Sequence, residues 1–216
     1  MKEYVFMDLD GTLTNPKQGI TKSVRYALQS KGINVEDLDS LCKFIGPPLR
    51  ESFMNYYGFD ERQAEELVSK YREFFKVKGL YENEAYDGIK QLLERLRNSG
   101  RKLYVATSKP EEFAIRILEH FQLAAYFEDI CGATMDSSRS TKEEVIRYTM
   151  NKNGISEKEK IVMVGDREHD ILGAKAVGIA SLGVLYGFGS REELQTAGAD
   201  AIAETVMDVF DRIACL

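Results

Sequence analysis

Four short apolar runs, Tyr4–Met7, Leu103–Ala106, Ile161–Val164 and Ala180–Leu185, constrain the fold most. Each is rich in β-branched or aromatic residues and is bounded by polar residues or glycine. Continuous apolar runs of this length suit strands buried on both faces of a parallel sheet. Helical patterns lie between them. Ile89, Leu92, Leu93 and Leu96 share one helix face, and the pattern stops near Gly100. Phe113 to Phe121 and Val145 to Met150 repeat the arrangement. Strands alternating with helices predict an α/β fold, a doubly wound and mainly parallel sheet.

The stretch from about Ile20 to Gly79 breaks this alternation. It reads as helices over Lys22–Lys31, around Leu49–Tyr57 and over Glu61–Lys78, with no convincing strand. The economical organisation is a core domain of residues 1–16 and 81–216 with a small helical cap of residues 17–80 inserted in it. Asn15-Pro16 and the loop from Gly79 to Gly88 would be the hinges. The 216 residues of the chain suffice for one core and a smaller companion.

The chemistry gathers just past the strands. The first run leads into Asp8-Leu9-Asp10-Gly11-Thr12. Residues two apart on an extended chain point the same way, so Asp8 and Asp10 should lie together. Gly11 lets the backbone turn sharply after them. The third run leads into Gly165-Asp166-Arg167-Glu168-His169-Asp170, where a helix start would put Asp166 and Asp170 one turn apart. Parallel sheets collect their ligands at the carboxyl ends of the strands, so the four acids should converge. Two unit charges about 4 Å apart repel by roughly 4 kcal/mol at an effective dielectric near 20. Such a group needs a cation or shifted protonation. Hard oxygen donors with room for water and phosphate suit Mg2+, whereas zinc would call for cysteines or paired histidines. The second run ends Thr107-Ser108-Lys109-Pro110, hydroxyls before a helix start that can donate to an anion. Lys142, at the front of another helix, could bring positive charge to a phosphate and a nucleophile.

Singly, each motif has an ordinary structural explanation: a turn, a helix cap, a solvated lysine. Their order carries the argument. Acid pair, hydroxyl, lysine and acid pair follow one another, each beside a strand end or a helix start.

Composition excludes some classes. A formal net charge of −6 disfavours nucleic-acid polymers, whose binding draws on lysine and arginine. Cys42, Cys131 and Cys215 are scattered without metal-ligand spacing, as free thiols in a reducing compartment would be. No apolar stretch approaches the roughly 18 residues of a membrane span. The opening Met1-Lys2-Glu3-Tyr4 runs straight into a strand pattern rather than a signal peptide. A cytoplasmic monomer or homodimer with no membrane partner is expected, and the acidic balance still leaves room for a small anionic substrate bound in a local positive pocket.

The order of these motifs resembles the haloacid dehalogenase superfamily along the whole chain. Asp8-Leu9-Asp10-Gly11-Thr12-Leu13 is similar to its nucleophile loop, the most specific of its signatures. Thr107 stands where the family has a phosphate-binding hydroxyl, Lys142 at its lysine, and Gly165-Asp166-x-x-x-Asp170 at its closing metal motif. The insertion resembles the helical cap of one large branch. The resemblance implies two-step phosphoryl transfer in which Asp8 is the nucleophile and Asp10 the general acid and base. It implies Mg2+ held by the Asp8 carboxylate, the Asp10 backbone carbonyl and Asp166, with Asp170 bound directly or one layer out. Gly11, Thr107, Ser108 and Lys142 would bind the phosphoryl group. The family's dehalogenases and phosphonatases lack the second acid, so Asp10 implies a phosphatase or a phosphosugar mutase.

For the substrate, Phe44 to Phe53 looks like the specificity loop of phosphoglycolate phosphatases and their 5′-nucleotidase-like relatives. Arg50 in that loop could reach a substrate anion or could be a surface arginine. Lys142 is followed by Glu143-Glu144-Val145 rather than by prolines, and Arg139-Ser140-Thr141-Lys142 looks more like the nucleotidase-like branch. Nucleoside monophosphates are therefore the first expectation, with phosphoglycolate and phosphosugars as alternatives. A binding module sensing a phosphorylated metabolite is a third class. His169 reads as a polar helix residue, His120 as a helix-end residue, and Gly187-Phe188-Gly189 as a loop without the remainder of a dinucleotide fingerprint. Tyr56, Tyr57, Tyr71, Phe74 and Phe75 read as packing within the cap.

Overall fold

The computed structural model describes residues 1–216. The chain divides into two compact units, Met1–Asn15 with Ala85–Leu216, and Pro16–Glu84. It begins with strand β1 (Tyr4–Met7) and the two-residue strand β2 (Thr14–Asn15). The second unit then follows with helices α1 (Lys17–Gln29), α2 (Leu49–Tyr57) and α3 (Glu61–Phe74). A 3-10 helix at Leu38–Phe44 and a π-helical turn at Phe75–Gly79 complete that unit. Beyond the two-residue β3 (Glu84–Ala85) come α4 (Ile89–Asn98), β4 (Lys102–Pro110), α5 (Glu111–His120) and β5 (Asp129–Ala133). The chain continues as α6 (Lys142–Lys152), β6 (Ile161–Gly165), α7 (Glu168–Val177) and β7 (Ala180–Val184). It closes with α8 (Arg191–Ala197), β8 (Ala201–Ala203) and α9 (Asp208–Ala214).

The core sheet has six strands in the order β5-β4-β1-β6-β7-β8, and every neighbouring pair is parallel. The predicted doubly wound α/β core is thus present. The first strand lies inside the sheet, with Met7 opposite Val105 on β4 and Val164 on β6. Three strand ends therefore meet at one level, which places Asp8, Thr107 and Asp166 along one edge. Alternation along the strands divides the core. Phe6, Tyr104, Ile161 and Met163 face α6 and α7, burying Val145, Ile146, Ala174 and Val177.

Local chemistry fixes the helix starts that matter. Thr141 caps α6: its hydroxyl accepts from the Glu144 amide at 3.3 Å, and the Glu144 carboxylate accepts from the Thr141 amide at 3.0 Å. That reciprocal cap sets Lys142 as the first residue of α6. At α7 the Asp170 carboxylate accepts from the Arg167 amide at 3.1 Å. Pro110 stands at the cap of α5 rather than in its first turn, and β4 runs on to reach it.

The helical unit has its own core, with Leu41, Phe44, Phe53 and Leu67 fully or almost fully buried. Tyr71 stacks on Phe75 with ring centres 5.2 Å apart, which is packing of the kind expected for the cap aromatics. Tyr56 is 41% exposed and carries the Lys43 ammonium 4.5 Å above its ring.

Candidate active site

Strand β1 hands over to a tight loop in which the Leu9 carbonyl accepts from the amides of Thr12, Leu13 and Thr14. Gly11 turns that loop with φ +85°, and a Cβ there would fall 2.1 Å from an oxygen of Asp166. Only glycine meets both demands. The loop carries Asp8 and Asp10, both buried, to the sheet edge.

Each acid has different company. Lys142 Nζ lies 2.9 Å from Asp8 Oδ1 and 2.7 Å from Asp170 Oδ1, and donates to the Ala106 carbonyl at 3.0 Å. Asp10 Oδ2 accepts from Lys109 Nζ, whereas its Oδ1 is buried without a hydrogen-bond partner. Asp166 is fully buried. Its Oδ2 accepts from the Phe188 amide at 2.8 Å, and the Thr12 hydroxyl donates a long bond to Oδ1 at 3.5 Å. Thr107 is buried, and its hydroxyl accepts from the Lys109 amide at 3.2 Å. Ser108, next to it, is partly buried.

Burial dominates the electrostatics. It pushes Asp166 well above the ordinary carboxylate range, and the charges of Asp170 and Asp8 push the same way; the Phe188 amide and Arg167 oppose them. Burial also raises Asp170 and Asp10, opposed by Lys142 and Lys109 respectively. Lys142 goes the other way from a lone buried lysine. Burial would lower it, but the carboxylates of Asp170 and Asp8 hold it protonated above its usual value.

The group as built fits a divalent cation. Asp8, Asp166 and Asp170 each offer an oxygen, and the three oxygens lie within 4.8 Å of one another. Four buried carboxylates face two buried lysines, so two negative charges remain, which one divalent cation cancels. The Oδ1 atoms of Asp8 and Asp170 have no hydrogen bond and only the Lys142 ion pair beside them. Oxygen donors of this hardness suit magnesium. The Asp10 carboxylate is not in this triad.

Of the residues singled out in the sequence, the core unit brings Asp8, Asp10, Gly11, Thr107, Lys142, Asp166 and Asp170 to one sheet edge. Arg50 belongs to the helical unit, where it pairs with Glu61 at 2.7 Å and lies 3.8 Å from Glu65. The sequence reading passes over Lys109 and takes Gly187–Gly189 for a loop, without giving either a part in the site. A Cβ at Gly187 would fall 2.4 Å from both Asp166 Cβ and the Gly11 carbonyl oxygen, and one at Gly189 would fall 1.9 Å from the Asp166 carbonyl oxygen. The two glycines are therefore a fitted cover for Asp166, not part of a nucleotide fingerprint. Tyr186 begins this segment and donates its hydroxyl to the Thr12 carbonyl at 3.1 Å. His169 is a half-buried residue of α7, and His120 ends α5 with its ring against Phe121.

The sequence pattern of the haloacid dehalogenase-like hydrolases matches residues 5–184. A 5′-nucleotidase of Pseudomonas aeruginosa is 52% identical over 191 residues, covering 88% of this chain and 86% of that protein. The tyrosine-protein kinase PtkA of Mycobacterium tuberculosis is 42% identical over 190 residues, covering 88% of this chain and 64% of that protein. Among solved structures, a predicted phosphatase from Clostridium acetobutylicum superposes with a TM-score of 0.98 at 51% identity over all of both chains. The chain belongs to the haloacid dehalogenase-like hydrolase family. No helix in it is long and apolar enough to cross a membrane.

Proposed function

We propose that the protein is a magnesium-dependent phosphatase of small phosphate monoesters, with nucleoside 5′-monophosphates as the favoured substrates. The observation that carries this reading is the pair Asp8 and Asp10, two residues apart at one strand end yet differently partnered. Asp8 lies beside the Lys142 ammonium and within the carboxylate triad. Asp10 lies outside the triad, and burial raises its affinity for a proton.

Asp8 attacks phosphorus through a carboxylate oxygen. The bond to the leaving oxygen breaks, and Asp10 gives that oxygen its proton. Asp10 then takes a proton from water as the water attacks the aspartyl-phosphate, releasing phosphate and restoring Asp8. Lys142 and the Thr107 and Ser108 donors stabilise the charge on the transferring group. A bound magnesium ion would sit on Asp8, the Asp10 carbonyl, Asp166 and Asp170, where it neutralises charge and orients the phosphate. The nucleotide preference is supported by the likeness to the Pseudomonas 5′-nucleotidase and by the Arg139-Ser140-Thr141-Lys142 run.

The test is phosphate release from nucleoside monophosphates, phosphoglycolate and phosphosugars, with magnesium and with a chelator. Magnesium-dependent release led by the nucleotides is the expected result. A ranking led by phosphoglycolate moves the substrate to that acid. Conversion of a hexose 1-phosphate to the 6-phosphate makes the chain a mutase, and phosphate transfer from ATP to a tyrosine peptide makes it a kinase like the mycobacterial relative's name.

A further inference from the structure

Lys109 is buried, with its side chain only 5% exposed. Lysines are rarely found so deep without a partner of opposite charge. An irregularity in the sheet puts it there. The pairing of β4 with β5 runs regularly to Thr107–Gly132 and then shifts before Pro110–Ala133, so that Ser108 and Lys109 form a bulge. Bulges re-aim side chains at sheet rims. This one is fixed from two sides. The Lys109 amide donates to the Thr107 hydroxyl at 3.2 Å, and Gly132 lies so close beneath that a Cβ there would fall 2.5 Å from the Lys109 carbonyl oxygen.

The re-aimed ammonium donates to Asp10 Oδ2. Two neighbouring acids just past β1 are thus gripped by lysines from different elements, Asp8 by Lys142 of α6 and Asp10 by Lys109 of β4. The other oxygen of Asp10, Oδ1, is buried with no hydrogen-bond partner. Gripping one oxygen fixes the direction of the other. It also keeps the carboxylate apart from the triad of Asp8, Asp166 and Asp170, which it could otherwise join as a fourth oxygen donor.

We infer that Lys109 is a positioning residue of the reaction: it clamps Asp10 Oδ2, so that Oδ1 exchanges the proton with the leaving oxygen and with water, and it keeps that carboxylate off the cation. This rests on the phosphatase reading proposed above. Lys109 itself touches no reacting atom. Its removal should therefore hurt in proportion to how much the leaving group needs a proton.

The experiment compares phenyl phosphate, whose phenol leaves poorly without a proton, with 4-nitrophenyl phosphate, whose nitrophenolate leaves readily. The value of kcat/KM covers the steps up to departure of the leaving group. General acid catalysis contributes about 10²–10⁴-fold. K109M should accordingly lower kcat/KM for phenyl phosphate by about 100-fold, and for 4-nitrophenyl phosphate at least tenfold less. K109R keeps the charge but replaces the ammonium with a planar fork of different reach. It should show a smaller loss with the same substrate preference, and it carries the test if K109M does not fold. Equal losses on both substrates, or no loss, overturn the inference and leave Lys109 a packing residue. Wild type and D8N are run alongside: if the wild type releases phosphate from neither ester, or D8N hydrolyses them undiminished, the phosphatase mechanism proposed above fails and the inference falls with it.

Discussion

Replacing Gly187 with alanine adds one methyl group and changes no charge, yet it should loosen the cation site. The added Cβ would sit 2.4 Å from Asp166 Cβ, 2.4 Å from the Gly11 carbonyl oxygen and 2.5 Å from Asp166 Oδ2. Ordinary contact begins near 3.4 Å, so about 1 Å must be found. Asp166 cannot retreat easily, because the backbone of Gly11 closes on its carboxylate from the loop after β1. The segment around Gly187 must lift instead, and the Phe188 amide bond to Asp166 Oδ2 is then stretched or lost. Overpacking of this kind costs about 1–3 kcal/mol, and a hydrogen bond to a charged acceptor contributes about 1.5–3 kcal/mol. Together these give a loss of about 2.5–6 kcal/mol, a fall in Tm of roughly 5–24 °C for a chain of this size. Groups that orient metal ligands typically change metal affinity about 10–100-fold when lost, so half-activation should move to higher magnesium by that factor. The assay is thermal melting followed by a magnesium titration of activity. Gly154→Ala is the control, since the added methyl there meets nothing within 4 Å and only the strain of a positive φ, which Gly187 lacks, is introduced. If Gly187→Ala keeps the wild-type Tm and magnesium dependence, Asp166 is not held by this close packing and the argument is wrong.

Other expectations follow from the same geometry. Asp8→Asn removes the proposed nucleophile and should reduce turnover of 4-nitrophenyl phosphate at least about 10⁴-fold while leaving a folded protein, as circular dichroism would verify. Lys142→Met strands Asp8 and Asp170 in the interior, and breaking such a buried pair costs about 3–5 kcal/mol; adding Asp170→Asn should recover part of the lost Tm, and no recovery would contradict the assignment. Asp166, Asp170 and Asp10 have raised proton affinity in the folded protein, so with a chelator present the native state binds more protons than the unfolded chain and stability falls as pH rises from the ordinary carboxylate value through the raised ones. Magnesium replaces those protons, so its gain in Tm should be larger at pH 8 than at pH 5, and a gain independent of pH would refute the cause given. Arg50→Ala breaks exposed pairs with Glu61 and Glu65 and should cost no more than about 1 kcal/mol; a large rise in KM with unchanged Tm would show that Arg50 meets the substrate.

The sequence displayed the centre of the sheet and concealed its margins. β1, β6 and the Leu103–Ala106 part of β4 are continuous apolar runs, so their patterns stand out. β5 is Asp-Ile-Cys-Gly-Ala and β8 is three residues with alanine at both ends. Neither has the bulk or the β-branching that marks a strand, because each is defined by the neighbour it pairs with. The early start of α1 at Lys17 was equally hidden, since its first turn lacks an acid and a side-chain cap. At the site, the four aspartates were legible because strand ends and helix starts are local features. Lys109 was not: in sequence it is a lysine ahead of a proline and two glutamates, and only the bulge against Gly132 turns it inward. The cover of Gly187 and Gly189 on Asp166 was out of reach for a similar reason, as the contact spans more than twenty residues and leaves no periodic trace.

The place of β1 inside the sheet has a consequence for synthesis. Its partner strands are β4 and β6, so Met7 is made long before Val105 and longer still before Val164. At roughly 5–20 residues per second, about 5–20 s separate the two edges of the first pairing on the ribosome. During that interval the helical unit of Pro16–Glu84, whose elements are near neighbours in sequence, can complete itself. The apolar run Tyr-Val-Phe-Met, with Asp8 one residue beyond, has no strand to join until the helical unit is finished. Translation thus orders the assembly: the insertion matures first, and β1 is the piece kept waiting.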